Sequence, residues 1–415
     1  MKDPNRSICT LVASLILFTV TCAFAQDWPQ WRGANRDGKV AGFTAPQSWP
    51  KELTQKWKVT VGAGDATPAL VGDKLYVFAR QGEDEVTLCL DPASGKEVWR
   101  NKYATPAVAG PASRHPGPRS SPTVAEGKVV TLGVNGILSC LDAATGNEVW
   151  RKDEFPGVMP QFFAAMSPII DNGTCIAHLG GKDSGAVIAF DLAAGNVKWK
   201  WAGGPAPAGD GPAYASPVLM TVDGVKQVVV QTEKNIVGLA VADGKLLWQI
   251  PAPPQGRFYN SATPIIDGQT VIYTGQGQGT KAVNIDKQND AFAAKEVWSN
   301  TELGTGFNTP VLKDGFLYGL SDRGGFFCLN AQTGKTAWTD TETRKDNFGA
   351  IVDAGPVIIG LPSDSQLVVF KPSDKEYVEV ARFKVAETPT YAHPVISGSR
   401  IFIRDQETVA LWTIP

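Results

Sequence analysis

The chain has 415 residues, 43% hydrophobic and only 19% charged, with 43 glycines and 29 prolines spread along it. That composition belongs to a well-cored, turn-rich protein and excludes a disordered or collagen-like one. With 39 basic against 41 acidic residues the net charge is −2, without the cationic surplus that nucleic-acid or anionic-membrane binding demands.

Residues 1–25 read as a signal peptide: Lys2 and Arg6, an apolar run from Ile8 to Val20, then the small-x-small site Ala23-Phe24-Ala25. The mature chain is expected to begin at Gln26 in an exported protein, periplasmic or extracellular. No transmembrane segment is expected, because the apolar run falls short of the roughly 20 residues a span needs. Thr19-Val20-Thr21 ahead of Cys22 lacks the Leu and small residue of a lipoprotein signal, which argues against a lipid anchor there. Residues 26–54, with Trp28, Trp31 and Trp49, are expected to form a strap packed across the body that follows.

From residue 55 one phrase recurs. It stands as Asp91-Pro-Ala-Ser-Gly95-Lys-Glu-Val-Trp99, as Asp142-Ala-Ala-Thr-Gly146-Asn-Glu-Val-Trp150 and as Asp191-Leu-Ala-Ala-Gly195-Asn-Val-Lys-Trp199. It returns degraded at Trp248, Trp298 and Trp338, and Phe383 takes the Trp place in a seventh unit. Between these marks lie small-residue–Pro pairs, from Thr67-Pro68 through Gly355-Pro356 to His393-Pro394, each opening a set of short, alternating apolar runs. Four strands in 40–50 residues make one blade of a β-propeller. The last unit has length for only three strands, and Gln55 to Val61, with the unmatched Trp57, supplies the fourth. The expectation is an all-β, eight-bladed β-propeller of four-stranded antiparallel blades over residues 55–415, closed by the N-terminal strand.

The motif has a physical account. Asp accepts hydrogen bonds from the turn amides, Gly takes the positive φ the turn needs, and Trp offers a broad apolar face to the next blade. The units at 91–99 and 142–150 resemble the tryptophan-docking repeats of the PQQ-like β-propeller family, which includes quinoprotein alcohol dehydrogenases and the cofactor-free outer-membrane assembly protein BamB. Asp27-Trp-Pro-Gln-Trp-Arg-Gly33 is similar to the start of secreted members of this group. The resemblance implies fold; it leaves function open, since the family holds both enzymes and scaffolds.

Function in a propeller gathers on the face where outer strands lead to the next inner strand. The longest such connection, between Trp99 and Pro122, carries Arg114-His115-Pro-Gly-Pro-Arg119 and is the first candidate binding loop. The equivalent connections carry Phe162 and Phe163, Tyr214, Tyr259 and Asn260, Phe307 and Asn308, Asn347 and Phe348, and Tyr391 with His393. Aromatic rings and amides would line a funnel, against the plainer alternative that they pack blade junctions.

Other signals are weak. His178 sits in an apolar strand, no Cys-x-x-Cys or paired-His spacing supports zinc, and Gly275-Gln-Gly-Gln-Gly279 lies between strands, as a hairpin turn would. Cys89, Cys140 and Cys328 occupy equivalent positions two residues before the turn Asp or Asn on separate blades, so free buried thiols are expected.

A PQQ- and calcium-dependent dehydrogenase is one reading. Against it stand the missing vicinal Cys pair, the short chain and too few funnel carboxylates to name a base. The preferred reading is an exported, non-catalytic, BamB-like binding or scaffold module of the cell envelope, without cofactor, whose partner is a protein or envelope polymer. A carbohydrate-binding propeller fits the same aromatic residues.

Overall fold

The computed structural model describes residues 26–415 except 182–183, 204–209, 257–258, 290, 343 and 345; the leader expected over residues 1–25 lies outside them. Eight four-stranded antiparallel sheets follow one another around a ring. In chain order the blades span residues 69–104, 123–152, 169–201, 218–251, 265–300, 311–339 and 349–384. The eighth joins 395–413 to the strand Thr54–Thr60, which pairs antiparallel with Thr408–Thr413 and supplies the outer strand, as expected. A 3₁₀ turn at Gly110–Arg114 is the one helical element among the described residues.

Within each blade the phrase read from sequence has a consistent job. The turn Asp or Asn collects the amides that follow it: Asp142 Oδ1 accepts from the Ala144 and Thr145 amides and the Thr145 hydroxyl, and Asn330 Oδ1 does the same for Gln332 and Thr333. A one-residue register shift beside each outer-strand Trp bulges that strand. Opposite the Trp sits a small residue, Cys89 facing Trp99, Cys140 facing Trp150, Ala189 facing Trp199 and Cys328 facing Trp338. The four described cysteines are free and buried, and burial pushes the Cys89, Cys140 and Cys328 thiols up to about 12.

Every one of these Trp rings except Trp248 then crosses to the turn of the next blade. A Cβ placed on Gly146 would lie 2.4 Å from Trp99, one on Gly195 2.7 Å from Trp150, and one on Gly334 2.4 Å from Trp298, so these turn glycines are the floor on which the preceding Trp lies. The indole Nε1 donates to a backbone carbonyl of the same turn: Trp150 to Leu192 at 2.9 Å, Trp199 to Val241 at 2.9 Å, Trp298 to Ala331 at 2.8 Å, and the closing Trp57 to Pro92 at 3.2 Å. The exception explains itself. In the fifth blade the turn is replaced by a long hairpin, Gly279–Gln288 with Ala291–Asn300, so Trp248 meets no turn carbonyl and donates to Gln227 of its own blade at 2.6 Å.

A second belt runs nearer the axis. The His393 amide donates to the Thr67 hydroxyl, Thr67 to Ser121, Ser121 to Ser167, Ser167 to Ser216, Ser216 to Thr263 and Thr263 to Thr309, at 2.9–3.1 Å. The small-residue–Pro pairs are therefore inter-blade hydrogen-bonding sites. The seventh pair corrects the sequence reading: Gly355-Pro356 follows the inner strand Gly349–Asp353 instead of opening it. Phe348 bridges Phe307, so Phe348-Gly349-Ala350 runs where Phe307-Asn308-Thr309 runs one blade earlier, and the belt has no hydroxyl there.

The strap does more than lie across the ring. Trp28 pairs with Leu70 of the first blade, the Val40 amide donates to the Asp353 carbonyl of the seventh, and Phe43 stacks on Trp49, whose ring packs against Phe383. Between these anchors the chain dips into the axis and inserts two arginines. Arg32 donates to the carbonyls of Thr309 and Pro310 at 2.6 and 2.8 Å, and Arg36 to those of Ser167 and Pro217 at 3.0 Å and to that of Pro168. Burial pulls Arg32 down to about 10 and Arg36 to about 9, which leaves both charged at neutral pH.

Gly146→Ala is expected to cost more stability than Gly224→Ala. Both glycines take a positive φ, 73° and 77°, but only the first would press a methyl into Trp99. The left-handed backbone costs either variant about 1–2 kcal/mol, and overpacking adds ~1–3 kcal/mol to Gly146→Ala. Equal shifts in denaturant midpoint would show that the indole yields. Arg36→Met is expected to lose about 3 kcal/mol or more by the same measurement, since it strips hydrogen bonds from three carbonyls buried at the axis.

Candidate functional site

The outer-to-inner connections converge over the opposite end of the axis and enclose a cavity of about 500 Å³. Its walls are the rings expected from sequence, in two groups. Phe162, Tyr214 and Tyr259 meet edge to face, with centroids 4.9–6.1 Å apart. Across from them Phe307 stacks on Phe348 at 4.1 Å, Phe348 meets Tyr391 edge-on at 5.3 Å, and Tyr391 meets His115 at 4.8 Å. The edge-to-face pairs among them let a ring's positive rim meet a neighbour's π-face, and the Tyr214 hydroxyl accepts the Phe162 amide at 3.1 Å.

The third side comes from the long connection after the first blade. The 3₁₀ turn ends at Arg114, which is exposed and engaged by no described residue. His115 Nδ1 lies 2.7 Å from Asp65 Oδ2, so the carboxylate fixes the imidazole's orientation. Arg119 is spent on structure, donating to the carbonyls of Phe162 at 2.6 Å, His115 at 2.8 Å and Ala112 at 3.3 Å. It binds the third-blade connection to the basic loop and holds the wall in place.

The floor is made by the belt hydroxyls Thr67, Ser121, Ser216, Thr263 and Thr309 together with Trp31 and His393. Trp31 belongs to the inserted strap and meets His393 edge-on at 5.8 Å. The segment expected to be purely structural thus closes the cavity from below. His393 is buried with Nε2 bonded to no described protein group, and burial, reinforced by Arg32, drops the imidazole to about 3.

Two amides predicted to face a ligand are turned to the framework. Asn260 is absent from the cavity lining and donates to the carbonyls of Ala252, Glu233 and Thr232. Asn308 borders the cavity, but its amide grips Leu320 through both main-chain groups. His178 is a strand residue packed in the core, brought down to about 4 by burial. Gly275 to Gly279 is a hairpin turn between the strands Thr270–Gly275 and Gly279–Gln288. The Asp65–His115 pair escaped sequence reading because its members lie 50 positions apart; what flagged the site was the recurrence of an aromatic ahead of each inner strand.

The lining does not suit calcium with a quinone. Calcium takes six to eight oxygen ligands, whereas Asp65 is the single carboxylate here and His115 already holds it. Each belt hydroxyl has a lone pair committed to a neighbouring amide. Among the described residues, no three His, Cys, Asp or Glu side chains gather in a metal-binding group.

Fold and site together define an eight-bladed propeller with a plugged axis and an aromatic funnel opening on one face. The family model for the outer membrane protein assembly factor BamB matches residues 36–202 and 85–340, and the chain belongs to that family, within the PQQ-like propellers. It is 25% identical over 363 residues to the outer membrane protein assembly factor BamB of Burkholderia pseudomallei (strain K96243), covering 86% of each chain. A quinohemoprotein alcohol dehydrogenase of Comamonas testosteroni is 28% identical over 157 residues, 36% of this chain but 22% of that protein. Among solved structures, BamB from Moraxella catarrhalis superposes with a TM-score of 0.64 at 16% identity over 87% of this chain and 99% of that one. The Comamonas testosteroni dehydrogenase gives 0.70 at 16% identity over 95% and 81%. At such identity these two superpositions speak for the fold alone.

His393 and His178 make acid a destabilising condition. Their folded values, about 3 and about 4, lie below the ordinary 6.5. As pH drops below 6.5 the unfolded chain takes up protons that the folded one refuses, and stability falls by up to about 1.4 kcal/mol per pH unit for each histidine. Above 6.5 the contribution is flat. Denaturant titrations at a series of pH values should show a shallower acid slope for His393→Gln than for the wild type.

Proposed function

We propose that this chain is an exported, non-catalytic binding module of the cell envelope that works as BamB-type propellers do, with the funnel as its binding face. The observation that carries the reading is the funnel itself: aromatic walls held rigidly by the framework, around a centre whose one carboxylate is paired. Such a surface is preorganised for binding, and its single carboxylate is already engaged by His115. The relatives named as outer membrane protein assembly factors extend along 86% and 77% of the chain, which favours a protein partner and a periplasmic location. The similarity to quinohemoprotein dehydrogenases supports the alternative of a quinone-dependent enzyme, and the calcium-poor lining speaks against it.

In a strain lacking its own BamB, the expressed chain should be recovered from the periplasm with Gln26 as its first residue and should restore the level of outer-membrane β-barrel proteins. The double variant Tyr259→Ala/Tyr391→Ala should fold, judged by an unchanged denaturant midpoint to within about 1 kcal/mol, and lose that restoration. Saturable binding of PQQ with calcium, coupled to dye reduction by alcohols, would overturn the proposal.

A further inference from the structure

The funnel carries more unused hydrogen-bonding capacity than a surface for apolar contact needs. On the side shared by the eighth, first and second blades, the Arg114 guanidinium, the Tyr391 hydroxyl and the ring nitrogens His115 Nε2, Trp31 Nε1 and His393 Nε2 are bonded to no described protein group; that of His393 is also buried. The belt hydroxyls below them receive amide protons and keep their own to give. Opposite stands the Phe162–Tyr214–Tyr259 wall. The cavity is therefore two-sided, walled by edge-to-face rings along one side and carrying unpaired hydrogen-bond donors beside the rings of the other.

Charge narrows the occupant further. Asp65 is held by His115, Arg119 is engaged by three carbonyls, and no carboxylate answers Arg114. A free guanidinium at the mouth of a half-apolar cavity matches a carboxylate, which it can grip through two parallel hydrogen bonds. A flat aromatic acid would satisfy Arg114 and the ring wall, yet would strand the hydroxyls and imidazoles of the floor, and buried polar groups left unpaired are what a site rejects most strongly. A sugar ring offers an apolar C–H face to the aromatic wall and hydroxyls to the floor. The volume, about 500 Å³, falls in the range of small-ligand sites.

We infer that the funnel binds a carboxylate-bearing saccharide, a uronate, with Arg114 on the carboxylate, the aromatic wall against the ring face and the floor hydroxyls and imidazoles on the sugar hydroxyls. This inference rests on the reading of the funnel as the binding face, and it names the chemistry that face recognises.

The experiment is calorimetric titration of residues 26–415 with digalacturonate, galacturonate, galactose and benzoate. Galacturonate should bind at least about tenfold tighter than galactose, a difference of ~1.4 kcal/mol, and digalacturonate tighter still. Arg114→Ala, a change at an exposed side chain without protein partners, should bring galacturonate down to the level of galactose while leaving galactose unchanged. Tyr391→Phe should weaken both sugars. Equal affinity for galactose and galacturonate, benzoate binding as tight as galacturonate, or no heat with any uronate would each overturn the inference. Restoration of outer-membrane proteins by a chain that binds no uronate would sink the saccharide and spare the assembly role, and uronate binding without restoration would do the reverse.

Discussion

Six of the eight blades in this ring are joined to the next by one indole, and the geometry of that contact sets most of the rest. A Trp face is broad enough to cover a turn only if the turn presents no side chain, which forces glycine at its apex, and the indole N–H must find a carbonyl in the same turn. The turn has to be wound tightly to expose that carbonyl, so an Asp or Asn gathers its amides. A small residue, Cys, Ala or Gly, stands opposite each repeat Trp but Trp57, so that the ring can lean outward. One apolar contact thus dictates four kinds of side chain in most units, and the thiols are inert because the small position opposite the Trp is buried.

The fifth blade shows the contact's limits. Its turn has grown into a hairpin, the carbonyl is gone, and Trp248 turns to a glutamine of its own sheet. Ring closure survives because the axial belt of amides and hydroxyls continues through that blade from Ser216 to Thr263 and Thr309. In the seventh blade the belt lapses in turn, and there Trp338 still reaches the Ser373 carbonyl at 2.7 Å. The junction from the seventh blade to the eighth has neither fastening, and there Phe383 stands in the Trp place with Trp49 of the strap packed against it at 6.2 Å.

Blade number, strand order and the closing strand were legible in the chain because a repeat writes the same local chemistry many times over. The funnel rings were legible for the same reason. The seventh unit misled, since Gly355-Pro356 imitates the spacing of an inner-strand start while Ala350 had lost the hydroxyl that marks it elsewhere. Arg32 and Arg36 gave no signal at all: their partners are main-chain carbonyls far along the chain, and a carbonyl leaves no trace in sequence. Asn260 and Asn308 drew attention as funnel amides and proved to be braces, because an amide beside a ring reads alike whether it points inward or outward. Asp65 was passed over because its histidine arrives from a loop 50 residues later.

The same N-terminal stretch that fills the axis also supplies the final outer strand, and this bears on the order in which the molecule can be assembled. Residues 27–40 need blades from both ends of the ring, and Thr54–Thr60 needs Thr408–Thr413, with Thr413 lying 359 positions beyond its partner Thr54. These contacts form only once blades far apart in the chain have come together, so the strap and the closing strand are among the last segments to find their seats. Until then the fan of blades keeps an open seam and a hollow centre, and a substitution that kept Thr408–Thr413 from its partner would leave a sheet edge bare to other chains.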